Sequence, residues 1–164
     1  MIKMIVLDLD GTLLNGERKV SEISKNYLRK LKDMGYIIVI ATGRIYESIN
    51  YVLGGFDYVN YVITDTGAYC YDTYGNTIFN IPIEIEIAKK IKKFYDDNCV
   101  YIDICDKYTI YKYSDIYEDY DFIKTTKNWD YIFKNCKEIS HISISMKTNE
   151  QVMELYNKLK EDIT

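Results

Sequence analysis

Apolar residues form short continuous runs near the start of the chain, separated by a stretch with helical spacing. The runs are MIVLDLD at 4–10 and YIIVIAT at 36–42, and neither alternates apolar with polar positions. Continuous runs are typical of strands that are covered on both faces within a parallel sheet. Between them, Ser21 is suited to cap a helix and Gly35 to end it. The apolar positions of that helix are Ile23, Tyr27, Leu31 and Met34. The pattern therefore predicts a buried strand, a helix and a second buried strand.

The alternation of strands and helices continues to about residue 80. A short helix is expected at 46–53, before Gly54 and Gly55, and a third strand at 58–65. The period then changes, and the sequence DTYGN with apolar residues on both sides predicts a hairpin around Gly75. Together these elements predict an α/β fold with a parallel sheet and flanking helices.

The second half of the chain predicts a separate, smaller α/β layer. Its expected elements are a helix at 84–98, strands at 100–105, 108–114 and 138–146, and a final helix opened by a capping box of Thr148 and Gln151. An irregular, tyrosine-rich acidic stretch precedes the last of these strands. We place the boundary between Asn80 and Pro82, which gives domains of residues 1–81 and 82–164.

The composition is that of an acidic globular protein. The chain has 164 residues, with 21 Lys and Arg against 25 Asp and Glu, for a formal net charge of −4. The absence of a basic block disfavours binding to nucleic acid or to an anionic membrane. Acids interrupt the first apolar run where a signal peptide would continue, and no run reaches the roughly 18 residues of a membrane helix. We therefore expect a cytoplasmic protein with neither nucleic acid nor membrane as a partner.

The cysteines and the single histidine do not indicate a zinc site or a disulfide framework. Cys70, Cys99, Cys105 and Cys136 show no C-x-x-C spacing, and His141 lies outside any cluster of potential ligands. We expect free and mostly buried thiols.

Two carboxylates stand at the end of the first apolar run. Asp8 and Asp10 are separated by one residue and lead into Gly11 and Thr12. Side chains two positions apart on a strand project to the same side, and ligand sites in open α/β sheets form at the carboxyl ends of strands. Thr42 ends the second run, so we expect these side chains to meet in one crevice. Two close acids need a counter-charge, which Mg²⁺ bound through oxygen ligands and a substrate phosphate supplies.

Such a site is suited to phosphate chemistry. One ionised Asp can attack phosphorus and form an aspartyl-phosphate, while a second carboxylate with a raised pKa protonates the leaving alcohol and then activates water. Gly11 and Thr12 let backbone N–H groups approach the phosphate, and Thr42 with the amide of Gly43 is suited to bind another oxygen.

Structural explanations for some of these residues stay open. Thr42 taken alone is better explained as a helix cap, and Arg44 is equally suited to contact substrate or to lie at an exposed helix start. We interpret Asp65 as a turn residue and His141 as a packed or surface residue of its strand.

The motifs resemble those of one family. DLDGTLL at 8–14 resembles the first motif of the haloacid dehalogenase (HAD) superfamily of phosphohydrolases, and IVIATGR at 38–44 resembles its second motif. VITDTGAYCYD at 62–72 is similar to the NGA segment of the Cof-type, subclass IIB members, in which an α/β cap domain follows the third strand of a Rossmann-like core.

The resemblance implies roles for three of the residues. Asp8 would be the nucleophile, Asp10 the general acid and base, and Thr42 the hydroxyl that binds phosphate. Asp8 through its side chain and Asp10 through its backbone carbonyl would bind Mg²⁺. The implied domains are an incomplete HAD core at 1–81 and part of a cap at 82–164.

The chain departs from the family pattern in two respects. Thr66 stands where the family usually has Asn, and nothing after Ser145 resembles the Lys and the acidic run that follow the cap in the family. We expect the N-terminal part of a longer enzyme, with the first strand left as an apolar sheet edge that favours self-association. Weak or absent turnover is expected because this sequence shows neither the Lys nor the acidic run that follow the cap in the family.

The sequence thus favours an Mg²⁺-dependent phosphomonoester hydrolase that acts on small phosphorylated metabolites, such as sugar phosphates, through an aspartyl-phosphate. The alternative is an impaired remnant that binds phosphate or a partner without turnover. A receiver-like signalling domain is disfavoured by the D-x-D-G-T spacing and by the second half of the chain.

Overall fold

The computed structural model describes residues 3–93, 99–116, 118 and 120–163. The chain divides into two compact units, Met1–Ile81 and Pro82–Thr164. Each has its own sheet and its own apolar cluster. The α/β fold class expected from the sequence is confirmed.

Unit 1 is built on a five-stranded sheet in the order β1-β2-β3-β4-β5. Its strands are β1 (Met4–Leu7), β2 (Ile37–Ala41), β3 (Tyr61–Thr64), β4 (Tyr69–Asp72) and β5 (Thr77–Asn80). The first three strands are parallel, and the hairpin of β4 and β5 extends the same sheet in antiparallel fashion. The expected hairpin is confirmed, with Gly75 at φ +83° in its turn.

The first strand is less covered than its apolar sequence predicts. Ile5 and Leu7 pack against the apolar cluster, but Met4 is 51% and Val6 54% exposed. β1 lies at the edge of the sheet and pairs only with β2 among the described strands. The prediction of a strand buried on both faces is therefore wrong for β1, whereas it is confirmed for the central strand β2, in which Ile38, Val39 and Ile40 are buried.

Helix α1 (Glu22–Asp33) begins and ends where the sequence predicts, since the Ser21 hydroxyl accepts a hydrogen bond from the Ser24 N–H. Of the predicted apolar positions, Leu31 packs against the apolar cluster of unit 1, beside the buried Leu28. The other three, Ile23, Tyr27 and Met34, are exposed, so the expected inward face is wrong at those positions. Lys32 reaches inward instead and donates to the carbonyl oxygens of Asp57 and Val59 at 2.8 and 2.7 Å.

Helix α2 (Tyr46–Leu53) matches its predicted bounds and ends at Gly54, which has φ +61°. Its residues Ile49 and Leu53 are fully buried beside Ile38 and Ile40 of the central strand. Burying each such side chain contributes about 1.5–3 kcal/mol, so this contact is a major stabilising feature of unit 1.

Unit 2 has a four-stranded sheet in the order β8-β7-β6-β9. Its strands are β6 (Cys99–Cys105), β7 (Ile110–Lys112), β8 (Ile123–Thr125) and β9 (His141–Met146), and its helices are α3 (Ile85–Lys93), α4 (Trp129–Asn135) and α5 (Asn149–Ile163). β6 is antiparallel to both of its neighbours, and β7 is parallel to β8.

Most of the second half follows the predicted order. The capping box is confirmed, because Thr148 N–H donates to Gln151 Oε1 at 3.1 Å and Gln151 N–H donates to Thr148 Oγ1 at 3.3 Å. Two elements were not predicted: β8 and α4 lie within the stretch expected to be irregular. The end of the predicted helix at 84–98 falls partly on residues 94–98, which lie outside the described part of the chain.

Cys70, Cys105 and Cys136 are buried thiols, as expected. Within the described ranges, none of the helices combines the length and apolar character that crossing a membrane requires.

Candidate functional site

The two sequence-predicted acids lie on a turn that follows β1. The strand ends at Leu7, and Gly11 with φ +75° lets the chain turn before Leu14 N–H donates to the Leu9 carbonyl oxygen at 3.0 Å. Leu9 is fully buried, whereas Asp8 and Asp10 on either side of it are exposed. The strand ends at Leu7, earlier than the sequence predicts, so the two acids do not lie on an extended strand. Both carboxylates are nevertheless exposed to solvent, on either side of the buried Leu9.

Asp8 interacts with the residue at the far side of this turn. The Thr12 hydroxyl donates to Asp8 Oδ2 at 3.3 Å. This long contact links the candidate nucleophile to a residue of the predicted phosphate-binding segment. Gly11 and Thr12 are exposed, and no neighbour lies within 4 Å of a Cβ built on Gly11. The backbone of the turn is therefore accessible to a ligand.

Asp10 is held by Arg44 from the loop after β2. Arg44 Nε donates to Asp10 Oδ2 and Arg44 Nη2 donates to Asp10 Oδ1, both at 2.7 Å. These hydrogen bonds to Arg44 hold the pKa of the Asp10 carboxyl below its ordinary value, with a smaller electrostatic contribution from Arg18. The prediction that the second carboxylate has a raised pKa is wrong for this arrangement, in which the ionised form is favoured.

Thr42 and Gly43 follow β2, next to the strand that carries Asp8. The parallel register pairs Leu7 with Ile40, so Thr42 and Gly43 lie at the same carboxyl end of the sheet as Asp8 and Asp10. Thr42 is 8% exposed; its N–H donates to the Ile63 carbonyl oxygen at 2.9 Å, and its Oγ1 accepts from Arg44 N–H at 3.3 Å. Thr42 does not cap α2, since the residue before that helix is Ile45. Its hydroxyl instead orders the loop that presents Arg44.

Arg44 thus joins the two loops. Its Nη1 also donates to Ser48 Oγ of α2 at 3.1 Å, while its Nε and Nη2 donate to Asp10, so all three guanidinium nitrogen atoms are hydrogen-bonded. The sequence left open whether Arg44 contacts substrate or only lies at an exposed helix start. The second possibility is wrong, because the Arg44 side chain is hydrogen-bonded to Asp10 and Ser48. Contact with a substrate stays a prediction.

Asp65 has a larger structural role than the turn residue that the sequence predicts. It does lie in a turn, at φ +54°, but it is 1% exposed. Its carboxylate accepts from the Thr64 hydroxyl at 2.5 Å, and its N–H donates to the Arg44 carbonyl oxygen at 2.8 Å. Asp65 therefore supports the Arg44 loop from the end of β3. Its position at the carboxyl end of a central strand was the available signal.

Thr66 and Gly67 continue this left-handed segment, at φ +57° and +96°. A Cβ built on Gly43 would lie 3.7 Å from Thr66 Oγ1, so the loops after β2 and β3 come close together. Positive φ is unfavourable for a β-branched residue and is better tolerated by Asn. The backbone thus explains why Asn suits the position that Thr66 occupies.

The donor set of the site fits a hard cation with few protein ligands. Mg²⁺ is usually held by one or two carboxylates, with water and substrate phosphate in the other positions. The exposed Asp8 carboxylate and the turn that contains Asp10 supply oxygen atoms of this kind. Among the described residues there is no cluster of three or more His, Cys, Asp or Glu side chains suited to a metal.

A curated relative is similar to the first part of the chain. The HMP-PP phosphatase of Yersinia pestis is 32% identical over 89 residues, which make up 54% of this chain and 33% of the relative. The matched segment spans about a third of the length of the curated relatives.

Solved structures match over almost the whole chain. A haloacid dehalogenase-like hydrolase from B. subtilis has a TM-score of 0.77 at 19% identity, over 97% of this chain and 67% of the other. A subclass IIB sugar phosphatase of the HAD superfamily has a TM-score of 0.72 at 23% identity, over 96% of this chain and 64% of the other. At these identities the similarity establishes the fold.

The family model for haloacid dehalogenase-like hydrolases matches residues 5–164. This span includes both motifs and both units. The match agrees with the parallel strand order and with the acid-bearing turn after β1. The chain therefore belongs to the haloacid dehalogenase-like hydrolases.

Proposed function

We propose that this chain carries the nucleophile and part of the phosphate-binding site of an Mg²⁺-dependent phosphomonoester hydrolase. The observation that carries the proposal is the turn after β1. There Asp8 and Asp10 are exposed around a buried Leu9, and Arg44 links Asp10 to the loop that contains Thr42 and Gly43.

The turn supplies the covalent chemistry. An oxygen of Asp8 attacks phosphorus, and the bond from phosphorus to the alcohol oxygen breaks, which gives an aspartyl-phosphate and an alcohol. Asp10 protonates the leaving alcohol and then accepts a proton from the water that hydrolyses the aspartyl-phosphate. Exposed N–H groups at Gly11 and Thr12, with Thr42 and the amide of Gly43, are suited to bind the phosphate oxygens.

Asp8 through its carboxylate and Asp10 through its backbone carbonyl are the residues that would hold Mg²⁺. The bound cation would lower the charge repulsion between the attacking carboxylate and the phosphate. The carboxylates cannot lower this repulsion themselves, because they carry the same sign of charge as the phosphate.

Arg44 has a defined place in this proposal. While it grips Asp10, it disfavours the protonated carboxyl that must donate to the leaving alcohol. A phosphate that enters the site is an alternative partner for the guanidinium, because both anions accept bidentate hydrogen bonds from Arg. We propose that Arg44 moves toward the phosphate and allows Asp10 to take up a proton.

The substrate class is a small phosphorylated metabolite. The relatives support this class, since they include an HMP-PP phosphatase and a sugar phosphatase. The second unit is proposed to be the cap domain that selects among such metabolites.

A catalytically impaired protein that binds phosphate is the second candidate. It is favoured by the pairing of Asp10 with Arg44, which holds the pKa of the proposed general acid below its ordinary value. The two candidates make the same prediction for binding and opposite predictions for turnover.

The test combines both measurements on the full chain. Hydrolysis of p-nitrophenyl phosphate with Mg²⁺ is measured for the wild type and for Asp8→Asn, and binding of beryllofluoride with Mg²⁺ is followed by ¹⁹F NMR. An enzyme binds beryllofluoride and loses on the order of 10³-fold or more of its turnover in Asp8→Asn. Beryllofluoride binding without turnover identifies the impaired protein. A wild type that neither binds beryllofluoride nor hydrolyses p-nitrophenyl phosphate contradicts the proposal.

A further inference from the structure

A cleft lies within unit 2, between the turn that joins β6 to β7 and the segment that follows α4. Its volume is about 530 Å³, which is in the range of sites for small molecules. Its lining residues fall within 106–111 and 135–138, and none of them belongs to unit 1. Tyr111 in this lining shares an apolar cluster with Ala88 of α3 and Ile132 of α4, so the cleft lies on the helix side of the sheet.

The first wall of the cleft is a turn ordered by one carboxylate. Asp106 Oδ1 accepts from the N–H groups of Tyr108 and Thr109 at 2.9 and 2.8 Å, and Asp106 N–H donates to the Thr109 carbonyl oxygen at 3.0 Å. This ordered turn presents the Tyr108 side chain, which is 57% exposed. An exposed aromatic ring on a fixed backbone is suited to stack on a flat ligand.

The second wall is the segment after α4, which is anchored at both ends. Cys136 N–H donates to the Ile132 carbonyl oxygen at 2.8 Å. The Ser140 N–H and hydroxyl donate to the Cys105 carbonyl oxygen at 2.8 and 3.0 Å. Both walls are thus ordered before a ligand arrives, so binding here requires little loss of conformational entropy from the protein.

Asn135 offers the cleft a donor and an acceptor side by side. Its Nδ2 donates to the Tyr131 carbonyl oxygen at 2.7 Å. Within the described ranges, the second Nδ2 hydrogen and Oδ1 make no other hydrogen bond. An Asn amide of this kind matches adenine, whose N6 amino group donates and whose N7 accepts on the same edge. Guanine presents two acceptors on that edge and does not match.

The charges of the lining suit a ligand with one phosphate. Lys137 Nζ donates to the Lys134 carbonyl oxygen at 2.8 Å and has no carboxylate partner in the part of the chain that the structure describes. Lys107 lies in the opposite wall. Of the two acids in the lining, Asp106 is committed to its turn, which leaves Glu138. Two lysines against one acid favour a monoanionic or dianionic group over a triphosphate.

The floor of the cleft is polar but uncharged. Tyr111 is 6% exposed, and burial raises its pKa to about 12, so its hydroxyl keeps the proton. The Thr109 hydroxyl hydrogen-bonds with Tyr111. Neighbouring hydroxyls that can donate and accept are suited to contact the hydroxyl groups of a ribose.

We propose that this cleft binds an adenine nucleoside monophosphate. Asn135 pairs with the N6 and N7 edge of the base, Tyr108 stacks on its ring, and Lys137 donates to the phosphate. The hydroxyls of Thr109 and Tyr111 contact the ribose. This site is independent of the proposed function, because it uses no residue of the turn after β1.

The experiment is an NMR titration of the full ¹⁵N-labelled chain in the absence of Mg²⁺. The probes are AMP, GMP, UMP, adenosine and inorganic phosphate. AMP is expected to shift the amide signals of 106–111 and 135–138, with a Kd about tenfold lower than those of GMP and UMP because only adenine matches the Asn135 amide. The absence of these shifts with AMP, or equal Kd values for the three nucleotides, overturns the proposal. So do the same shifts with inorganic phosphate alone, which indicate a simple anion site.

Variants test the two assigned contacts separately. Asn135→Leu is expected to raise the Kd of AMP to that of UMP and to leave the Kd of UMP unchanged. Lys137→Met is expected to weaken AMP and to leave adenosine unchanged. Lys134→Met is the matched control, because it removes a charge from the last turn of α4 outside the lining. Equal weakening of AMP by the two Lys variants, or of AMP and UMP by Asn135→Leu, overturns the proposal when the spectra are native-like.

Asp8→Asn distinguishes this cleft from the proposed active site, since AMP is itself a phosphomonoester. The cleft signals are expected to shift in Asp8→Asn with the Kd of the wild type. Their loss in this variant would show that they report on binding at the turn after β1, and it would overturn the proposal. Cleft shifts in a wild type that binds no beryllofluoride contradict only the proposed phosphatase.

Discussion

Arg44 grips Asp10 through two parallel hydrogen bonds of 2.7 Å, across the gap between the loops that follow β1 and β2. Arg44 is itself ordered by Thr42, Ser48 and Asp65. Two sequence motifs that are far apart along the chain are thereby joined in unit 1. The protonation of Asp10 depends on this contact.

We predict that Arg44→Met raises the pKa of Asp10 toward the ordinary value of an aspartate. The two hydrogen bonds from Arg44 are the main cause of the lowered pKa, and they stabilise the ionised form. The pKa is measured in the metal-free chain from the ¹³C shift of the Asp10 carboxyl against pH. Arg18→Met is the control and is expected to cause a smaller rise, since Arg18 acts only through weaker electrostatics. Equal shifts in the two variants would contradict the prediction.

Thr66→Asn is predicted to stabilise the protein by about 1 kcal/mol, because Asn tolerates a left-handed backbone better than a β-branched residue does. Thr66 has φ +57°, between Asp65 at +54° and Gly67 at +96°. The free energy of unfolding is measured by urea denaturation, and the gain should appear as a higher midpoint at an unchanged slope.

Thr73→Asn is the matched control for this change, because Thr73 lies in the β4–β5 turn and is not among the residues with positive φ. An equal gain in both variants would show that Asn stabilises for a reason other than backbone conformation.

The elements with a long, regular signal could be predicted from the sequence. β2 has a continuous apolar run, and α2 ends at a glycine with φ +61°. Which faces are buried could not be predicted as well. The run at β1 indicates a strand, but coverage depends on its neighbours, and β1 lies at a sheet edge with Val6 exposed.

The unpredicted elements and contacts depend on packing from elsewhere in the chain. β8 has only three residues, which is too short for a periodic pattern. Asp65 has the sequence of a turn residue, and its burial follows from the Arg44 loop that packs against it. For the same reason, the sequence places Asp10 and Arg44 near one sheet edge without revealing that they pair.

Asp103 should make the stability of the protein depend on pH between about 4 and 6. Its pKa is raised from 3.8 to about 6 by burial, so the folded state binds the proton more tightly than the unfolded state. Stability is then greatest below the unfolded value and falls as the pH rises through this window. The expected loss is about 1 kcal/mol, less than the full shift implies, because the side chain is partly solvated.

Asp103→Asn should remove this decrease, since it cannot ionise. Urea midpoints at several pH values in the window provide the measurement, and Asp130→Asn is the control for the loss of one carboxylate. Identical pH profiles for wild type and Asp103→Asn would contradict the assignment.

The exposed edge of unit 1 should promote self-association of the chain. β1 pairs with only one described strand, and its Met4 and Val6 side chains are 51% and 54% exposed. An apolar edge with unpaired backbone groups is a template for pairing with another chain, and a charge on such an edge opposes this pairing. We expect the sedimentation coefficient of the wild type to rise with concentration and that of Val6→Lys to rise much less.

Tyr74→Lys is the control that distinguishes a charge on the β1 edge from an added surface charge as the cause of reduced self-association. Tyr74 is 89% exposed in the β4–β5 turn, so the substitution adds the same charge away from β1. Association should persist in this variant, because its β1 edge is unchanged. A wild type that stays monomeric at high concentration, or equal suppression by both lysines, would be inconsistent with pairing through β1.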